Sequence, residues 1–296
     1  MVRSNEEEET QTLPLAVPVA AYPMKKSFAE PPEVSARSVV ILDKNSAVVL
    51  YAKNKEERLL PASTVKIMTA LVALDRYALE EVLTVKEVSE AGQRVKLVPG
   101  EKIRVEDVLK ALLVYSANDA AQVLAQNYPG GEKEFVEAMN QKAESLGLRR
   151  SHFANATGLD SGIDKRLLND YSYSTAWDLA QLARVALKSE VIAKIVATES
   201  TTISDADGQR LRKIENLNQL LGEVRGVRGV KTGWTEEAGE CLMTFISREE
   251  GEVVMVLLGS RDRFGETKKL VDWVYDNFTW QQVFPTSLDQ EREGRQ

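Results

Sequence analysis

The stretch PASTVKIMTALVALDRY, residues 61–77, places a serine and a lysine three positions apart at the start of an amphipathic pattern. From Thr64 onward, apolar residues recur at helical spacing, which predicts a helix that begins after Pro61. Side chains three positions apart on a helix lie on one face, so Ser63 and Lys66 should be neighbours. The ordinary explanation is a capping serine and a solvated lysine, because about one S-x-x-K match is expected by chance in such a chain. The rest of the sequence has to decide.

The composition is that of a soluble globular protein. The chain has 296 residues, of which 43% are hydrophobic and 28% charged, enough for one large domain or two modest ones. The net charge of −7 gives no support for a nucleic-acid partner. Since no run of 18 apolar residues occurs, no integral membrane segment is expected in this chain.

Histidine and cysteine each occur once, as His152 and Cys241. A disulfide within the chain is therefore impossible, and a zinc site would need several carboxylates around one histidine, which is an uncommon ligand set. We expect no metal and no cofactor. A Ser-His-Asp or Cys-His enzyme would have to use His152, which lies in a polar loop, and no G-x-S-x-G segment occurs. Acid–base chemistry would thus depend on lysine, tyrosine or a carboxylate.

The two ends of the chain differ from its middle. Residues 1–36 join an acidic run to a proline-interrupted apolar patch, which predicts a flexible N-terminal linker. The residues before that patch are acidic rather than basic, so it is not typical of a secretory signal. Residues 37–282 are predicted to form the folded domain, and residues 283–296 a polar C-terminal tail.

The order of predicted elements indicates the α+β class. Residues 38–54 and residues 239–260 are each predicted to form a β-hairpin, because β-branched runs flank a polar turn. Helical patterns fill most of the sequence between them. This order predicts a sheet assembled from both ends of the chain, with a helical insert.

Two further short motifs follow S-x-x-K. Ser116 and Asn118 form S-x-N at the predicted start of a helix, where a pair of capping residues would be the ordinary explanation. Lys231, Thr232 and Gly233 form K-T-G before the second hairpin, where a glycine turn would be ordinary. Each motif alone is a weak signal. The three in this order match the signature set of penicillin-binding proteins and serine β-lactamases.

The sequence resembles the D-alanyl-D-alanine carboxypeptidases, the low-molecular-weight penicillin-binding proteins, from about Ser38 to Phe278. The segments PASTVKIMTA, SANDAA, FANATGLD, STAWDLAQLA and GVKTGWTEEAG carry the resemblance in family order. It implies a β-lactamase/transpeptidase-like fold, in which helices flank an antiparallel sheet and a helical subdomain borders the active-site cleft. It also implies serine-type D-Ala-D-Ala carboxypeptidase activity on peptidoglycan stem peptides, acylation by β-lactams, and an extracytoplasmic location, although no targeting segment is visible.

The chemistry of the motifs assigns the central roles. Ser63 would be the nucleophile, and Lys66 the base that removes its proton, provided that the lysine amine is neutral. We expect burial beside the second cation, Lys231, to lower the Lys66 pKa towards 7–8 from about 10.4. The resemblance implies that Ser116 passes the proton to the leaving D-alanine.

The resemblance implies the substrate-binding roles. The backbone N–H groups of Ser63 and Trp234 would form the oxyanion hole. The remaining groups would bind the substrate amide or its terminal carboxylate, namely Asn118 for the amide, Lys231, Thr232 and Gly233 of the K-T-G segment for the carboxylate, and Arg261 as a weaker candidate for the same carboxylate. Family members often carry a polar residue after K-T-G, so the substrate preference beside Trp234 is open.

Two other functions remain open at this point. A class A β-lactamase would deacylate through the glutamate of an E-x-x-L-N loop. The near match ENLN at residues 215–218 is one residue short and lies only 13 residues before Lys231 (231 − 218), so we interpret it as a coincidence. A non-catalytic cell-wall binding module would need neither a nucleophile nor its base. Separately, Cys241, Met243 and Phe245 alternate along a predicted strand and should share a core face.

Overall fold

The computed structural model describes residues 21–87, 90–160 and 171–282. The described strands are β1 (Ala21–Lys25), β2 (Ser38–Asp43), β3 (Val49–Lys53), β4 (Val82–Thr84), β5 (Lys102–Arg104), β6 (Ser200–Ser204), β7 (Leu211–Glu215), β8 (Val227–Thr235), β9 (Gly239–Arg248), β10 (Gly251–Ser260) and β11 (Phe278–Gln282). The helices are α1 (Lys66–Arg76), α2 (Val105–Leu113), α3 (Asn118–Asn127), α4 (Glu132–Ser145), α5 (Ala176–Ala186), α6 (Glu190–Val196) and α7 (Arg263–Asn277), and a 3₁₀ turn, Ala62–Val65, leads into α1.

Strands from both ends of the chain build the main sheet. Five antiparallel strands lie in the order β3-β2-β10-β9-β8, so the two predicted hairpins are confirmed and are joined through the β2–β10 pair. Because β8 ends this order, one of its edges is not covered by another strand of the sheet. This free edge borders the candidate site.

Helices cover both faces of the sheet. On β2, Val40 and Leu42 face a core shared with α1 to α6, while Val39 and Ile41 face a second core beneath α7. This is why the strand is a nearly continuous apolar run rather than an alternating one: both of its faces are buried. The α+β fold with a helical subdomain is therefore confirmed.

The prediction of a flexible linker over residues 1–36 is wrong where the structure describes it. Ala21–Lys25 form strand β1, which pairs antiparallel with β11. Further on, the backbone N–H groups of Ser35 and Ala36 donate to the Glu266 carboxylate. Each of these partners lies more than 200 positions along the chain, so local sequence held no sign of them. Residues 1–20 and 283–296, the rest of the predicted linker and the predicted tail, lie outside the described residues.

Most predicted helices and strands are found, with a few additions. The sequence did not predict α6, β5, β8, β11 or the β6–β7 pair, which are short or contain several polar residues. Within the described part of the chain, no helix combines the length and the apolar character needed to cross a bilayer.

Candidate active site

A cleft opens where the free edge of β8 meets the 3₁₀ turn and the start of α3. Every sequence-predicted site residue except Lys66, Lys231 and Arg261 contributes to its lining. The described lining residues are Ser63, Gly92, Gln93, Ser116, Asn118, Leu159, Asp160, Leu217, Thr232, Gly233, Trp234, Thr235, Glu236 and Arg263. Lys66 and Lys231 lie behind this surface, 0% and 2% exposed, and bond to the serines that face it.

The Lys66 amine has three oxygen neighbours at hydrogen-bond distance. Its Nζ lies 2.8 Å from Ser63 Oγ, 2.7 Å from Asn118 Oδ1 and 2.6 Å from the Thr157 carbonyl oxygen. The last two oxygens belong to carbonyl groups, which accept hydrogen bonds and cannot donate them. A neutral amine has two N–H donors and one lone pair. If both donors serve the carbonyls, the lone pair is left for the hydroxyl proton of Ser63.

Burial adjusts the charge of Lys66 to this task. Removal from water lowers the Lys66 pKa to about 7, while the negative charge of Asp119 acts in the opposite direction. The predicted effect of burial is therefore confirmed. A substantial fraction of the amine is neutral near pH 7, as a general base requires.

A tight loop brings the third acceptor to Lys66. Asn155 Oδ1 accepts from the backbone N–H groups of Thr157 and Gly158, which curls the loop. Gly158 has a φ of +77°, and any Cβ there would overlap the carbonyl oxygen of Ala62 in the 3₁₀ turn. The glycine thus allows the loop to approach the nucleophile's own turn.

Ser116 and Lys231 form a second serine–lysine pair. Ser116 has a φ of +62°, a left-handed conformation that is uncommon for a non-glycine residue. The Lys231 Nζ lies 2.7 Å from Ser116 Oγ and 2.8 Å from the Thr232 carbonyl oxygen. Neither Ser116 nor Asn118 caps α3 through its side chain, since Ala117 is the capping residue and no side-chain cap bond forms.

The charge of Lys231 depends on what faces it. Burial lowers its pKa well below the usual lysine value, and the positive charges of Lys66 and Arg263 add to that effect. The positive charge of Lys66 thus lowers the pKa of Lys231. The pKa of Lys66 itself is lowered by burial and not by the charge of Lys231. A carboxylate bound beside Lys231 would favour its ammonium form.

Asn118 is already engaged on both sides of its amide. Its oxygen accepts from Lys66, and its Nδ2 donates to the Ala91 carbonyl at 3.1 Å. The backbone of Asn118 also donates to the Gln93 carbonyl at 2.7 Å. The residue therefore holds the base and the 91–93 loop at the cleft, and one of its amide hydrogens remains for a substrate.

Glycine allows β8 to pass close to the nucleophile. A Cβ at Gly233 would lie 3.1 Å from both the Ser63 nitrogen and the Pro61 oxygen, which is tighter than an ordinary contact and would require a shift of the turn or the strand. The next residue, Trp234, is 61% exposed and stands at the cleft wall. Beyond it, Thr235 Oγ1 donates to Asp160 Oδ2 at 2.5 Å and links β8 to the 155–160 loop.

Arg263, rather than Arg261, reaches the cleft. Arg261 is exposed and absent from the lining, so its placement at the site is wrong. Arg263 Nη1 donates to the Gly233 carbonyl at 2.8 Å, and its Nε is buried without a hydrogen-bond partner among the described residues. The physical reason is that β10 ends at Ser260, so Arg261 lies in the exposed turn while Arg263 begins α7.

Sequence reasoning missed three functional neighbours, namely Asp119, Thr157 and Arg263. Asp119 accepts from the backbone N–H groups of Val95 and Leu97 and biases the Lys66 pKa. An acidic residue in the first turn of a helix was its only sequence signal. Thr157 acts through its backbone, for which no signal of residue type exists.

His152 and Cys241 take structural positions. His152 pairs through its backbone with Tyr173 and lies outside the cleft lining. Cys241 is 0% exposed and lies in the same core as Met243 and Phe245, as predicted. Burial raises the pKa of the Cys241 thiol to about 11, which disfavours the reactive thiolate.

No group of three or more histidine, cysteine, aspartate or glutamate side chains among the described residues is arranged to hold a metal ion. The expectation of a metal-independent enzyme stays a prediction, which an activity assay in excess chelator would test.

A serine beside a buried lysine of depressed pKa, at a cleft edged by a free strand, defines a serine acyl-transfer site with a lysine base. Residues 25–262 match the Peptidase_S11 family, D-alanyl-D-alanine carboxypeptidase. The chain belongs to this family, which confirms the resemblance seen in the sequence.

Individual relatives agree with this assignment. The chain is 34% identical over 253 residues to the D-alanyl-D-alanine carboxypeptidase DacF of Bacillus subtilis, covering 82% of this chain and 63% of that relative. It is 33% identical to a D-alanyl-D-alanine endopeptidase of Escherichia coli, covering 88% and 86%. The chain thus spans less than two thirds of DacF but most of the endopeptidase.

Solved structures share the fold. The Streptomyces K15 DD-transpeptidase matches with a TM-score of 0.76 and 28% identity, covering 84% of this chain and all of that one (100%). A D-alanyl-D-alanine carboxypeptidase from Mycobacterium tuberculosis matches with a TM-score of 0.77 and 28% identity, covering 88% and 97%.

Proposed function

We propose that this protein removes the terminal D-alanine from peptidoglycan stem peptides ending in D-Ala-D-Ala, through an acyl-enzyme on Ser63, and that β-lactams acylate the same serine. One observation carries the proposal: the buried Lys66 amine lies 2.8 Å from Ser63 Oγ, and its other two neighbours can only accept hydrogen bonds. Lys66 therefore supplies the lone pair that a serine nucleophile needs.

In the acylation step, Ser63 Oγ attacks the carbonyl carbon of the penultimate D-alanine while its proton passes to Lys66 Nζ. The negative charge that develops on the carbonyl oxygen is stabilised by the N–H groups of Ser63 and Trp234. The Thr232 carbonyl faces Lys231 at the free edge of β8, and backbone groups alternate along a strand. The N–H group of Trp234 therefore points to the same edge, which supports this assignment.

The leaving amine needs a proton when the peptide C–N bond breaks. Ser116 gives its hydroxyl proton to that nitrogen and is reprotonated by the buried lysines Lys66 and Lys231. The net result is that the proton taken from Ser63 reaches the leaving amine and Lys66 is neutral again. The carboxylate of the D-alanine lies beside Thr232 and the Arg263 guanidinium, with the Lys231 amine behind them, and it leaves with the released residue. Water then attacks the acyl carbon while neutral Lys66 takes its proton. Lys66 returns this proton to Ser63 Oγ as the acyl C–O bond breaks, which frees Ser63 and the shortened peptide.

The substrate determines where the enzyme works. Peptidoglycan lies outside the cytoplasmic membrane, so we infer an extracytoplasmic protein of the cell envelope. Its partners are stem peptides and β-lactams.

The near match to the β-lactamase E-x-x-L-N segment does not bring its glutamate to the cleft. Glu215 of the ENLN segment is on β7, where its 71% exposed side chain pairs with Lys213, and it does not line the cleft. We therefore expect a long-lived penicilloyl adduct rather than rapid turnover.

The decisive experiment combines a D-alanine release assay with mass spectrometry of the penicillin adduct. The wild-type protein should release D-alanine and carry one adduct on Ser63, and Ser63→Ala should lose both. Ser145→Ala, a control at the exposed end of α4, should keep both. An adduct on another residue, or release by Ser63→Ala, contradicts the nucleophile assignment. Absence of any adduct on the folded wild type would favour a binding module.

A further inference from the structure

Trp234 is an exposed aromatic residue at the wall of the cleft. Its indole is 61% exposed, and it lines the cleft together with Thr232 and Arg263. Aromatic side chains bury a large area when a ligand covers them, so Trp234 offers a large contact surface to a molecule bound in the cleft.

The register of β8 fixes which side of the strand Trp234 occupies. Successive side chains of a strand point to opposite faces. Gly233 faces the 3₁₀ turn, because a Cβ there would lie 3.1 Å from the Ser63 nitrogen. Thr232 and Trp234 therefore point to the other face, the α7 side, to which Leu242 opposite Thr232 also belongs.

Arg263 is on that same side. It is the first residue of α7, and its Nη1 reaches the Gly233 carbonyl, between Thr232 and Trp234. The threonine hydroxyl, the guanidinium and the indole are thus grouped at one end of the cleft. In the proposed reaction, this end receives the carboxylate of the residue that leaves.

We propose that the indole of Trp234 forms the apolar wall of the leaving-residue subsite, so that the enzyme selects for an apolar side chain on the residue it releases. In the last residue of a peptide, the side chain and the carboxylate are both bonded to the same Cα atom. A leaving residue whose carboxylate lies at Thr232 and Arg263 therefore has its side chain within reach of Trp234, on the same face of β8. This inference rests on the proposed function and names the specificity of that same site.

The test compares peptides that differ only in the last residue. N-acylated peptides ending in D-Ala-Gly, D-Ala-D-Ala and D-Ala-D-2-aminobutyrate would be hydrolysed and kcat/KM measured for each. A methyl or methylene group transferred from water to an apolar contact changes an equilibrium about fourfold. We expect wild-type kcat/KM to rise by up to about fourfold with each added carbon.

Variants at Trp234 should change the selectivity and not only the rate. Trp234→Ala should lower the ratio of kcat/KM for D-Ala-D-Ala over D-Ala-Gly by about two- to fourfold, and Trp234→Phe should keep most of it. Phe28→Ala is the matched control, since Phe28 is a 95% exposed aromatic outside the cleft lining, and its ratio should equal that of the wild type.

The outcomes separate this inference from the function on which it rests. If the folded wild type releases no terminal residue from any of the peptides, the proposed function fails. If it does release them, but Trp234→Ala keeps the wild-type ratio, the inference alone is overturned. Should Trp234→Ala not fold, as judged by circular dichroism, Trp234→Gln replaces it as a non-aromatic variant with the same expected loss of ratio.

Discussion

Lys66 Nζ lies 2.8 Å from Ser63 Oγ, and the lysine that makes this contact is completely buried. Burial of a charged ammonium in this position is unfavourable because the charge loses its hydration, and for this reason the Lys66 pKa is lowered. The fold therefore keeps a base of lysine type available near neutral pH.

Asp119→Asn should shift the pH dependence of acylation to lower pH. The Asp119 carboxylate favours the ammonium form of Lys66, so its removal lowers the Lys66 pKa further. The neutral amine is the active form, so the rising limb of the acylation rate should move towards acid. Stopped-flow acylation by a penicillin measures this limb. Asp107→Asn, which removes a partly buried ion pair with Lys110 on α2 outside the cleft lining, is the control and should leave the limb in place.

Arg263→Gln should impair recognition of the terminal carboxylate, whereas Arg261→Gln should not. A hydrogen bond to a charged group contributes about 1.5–3 kcal/mol, so kcat/KM for a D-Ala-D-Ala peptide should fall roughly 10- to 100-fold. A peptide with an amidated C-terminus should be much less affected by the same change. Equal losses on both peptides would indicate a structural role through the bond to Gly233.

Much of this site could be predicted from local spacing. The pairing of Ser63 with Lys66 follows from a helical repeat, and the two hairpins follow from β-branched runs around polar turns. The chemistry of the pair followed from the single histidine, because no imidazole was available as its base. These predictions needed only neighbours in sequence or a count of residues.

The features that were missed depend on contacts across long stretches of chain. Thr157 is 91 positions from Lys66 and acts through a backbone carbonyl that any residue could present. The choice between Arg261 and Arg263 depends on where β10 ends and α7 begins, to within two residues, which sequence patterns do not resolve. Strand β1 forms by pairing with β11 at the other end of the described chain, so its own residues gave no local sign of a strand.

Cys241→Ala should reduce stability without slowing acylation. The side chain is fully buried on the core face of β9, and its loss leaves a small cavity. We expect a loss of about 1 kcal/mol in the free energy of unfolding, measured by urea denaturation. Acylation should proceed at the wild-type rate. Rapid inactivation of the native enzyme by a small thiol reagent would contradict this structural role.

Glu266→Gln should loosen the N-terminal segment from α7. Glu266 is buried and accepts from Ser260 Oγ at 2.6 Å, from Ala36 N at 3.2 Å and from Ser35 N. Burial alone would raise the Glu266 pKa, but these hydrogen bonds outweigh it and the pKa is lowered. Leaving such donors poorly paired costs about 1–3 kcal/mol of unfolding free energy.

The pH dependence of that loss has a defined sign. A carboxylate with a lowered pKa in the folded state contributes stability above its unfolded pKa and loses it as the pH falls through the folded value. The difference between wild type and Glu266→Gln should therefore be largest at neutral pH and shrink in acid. Glu223→Gln, which removes an exposed ion pair with Lys268, should change the unfolding free energy by less than about 1 kcal/mol. A similar loss in both variants would contradict the role given to Glu266.

The measurement that tests the central claim most directly is the pH dependence of Ser63 acylation by penicillin, in the wild type and in Lys66→Arg. With neutral Lys66 as the base, the wild-type rate should rise along a one-proton limb whose midpoint is near pH 7, the pKa that burial gives this lysine. Lys66→Arg should lose nearly all acylation at every pH, because a guanidinium stays protonated and cannot accept the proton. Acylation of Lys66→Arg at a rate near that of the wild type, or a wild-type rate that does not change between pH 5 and 9, would contradict the account.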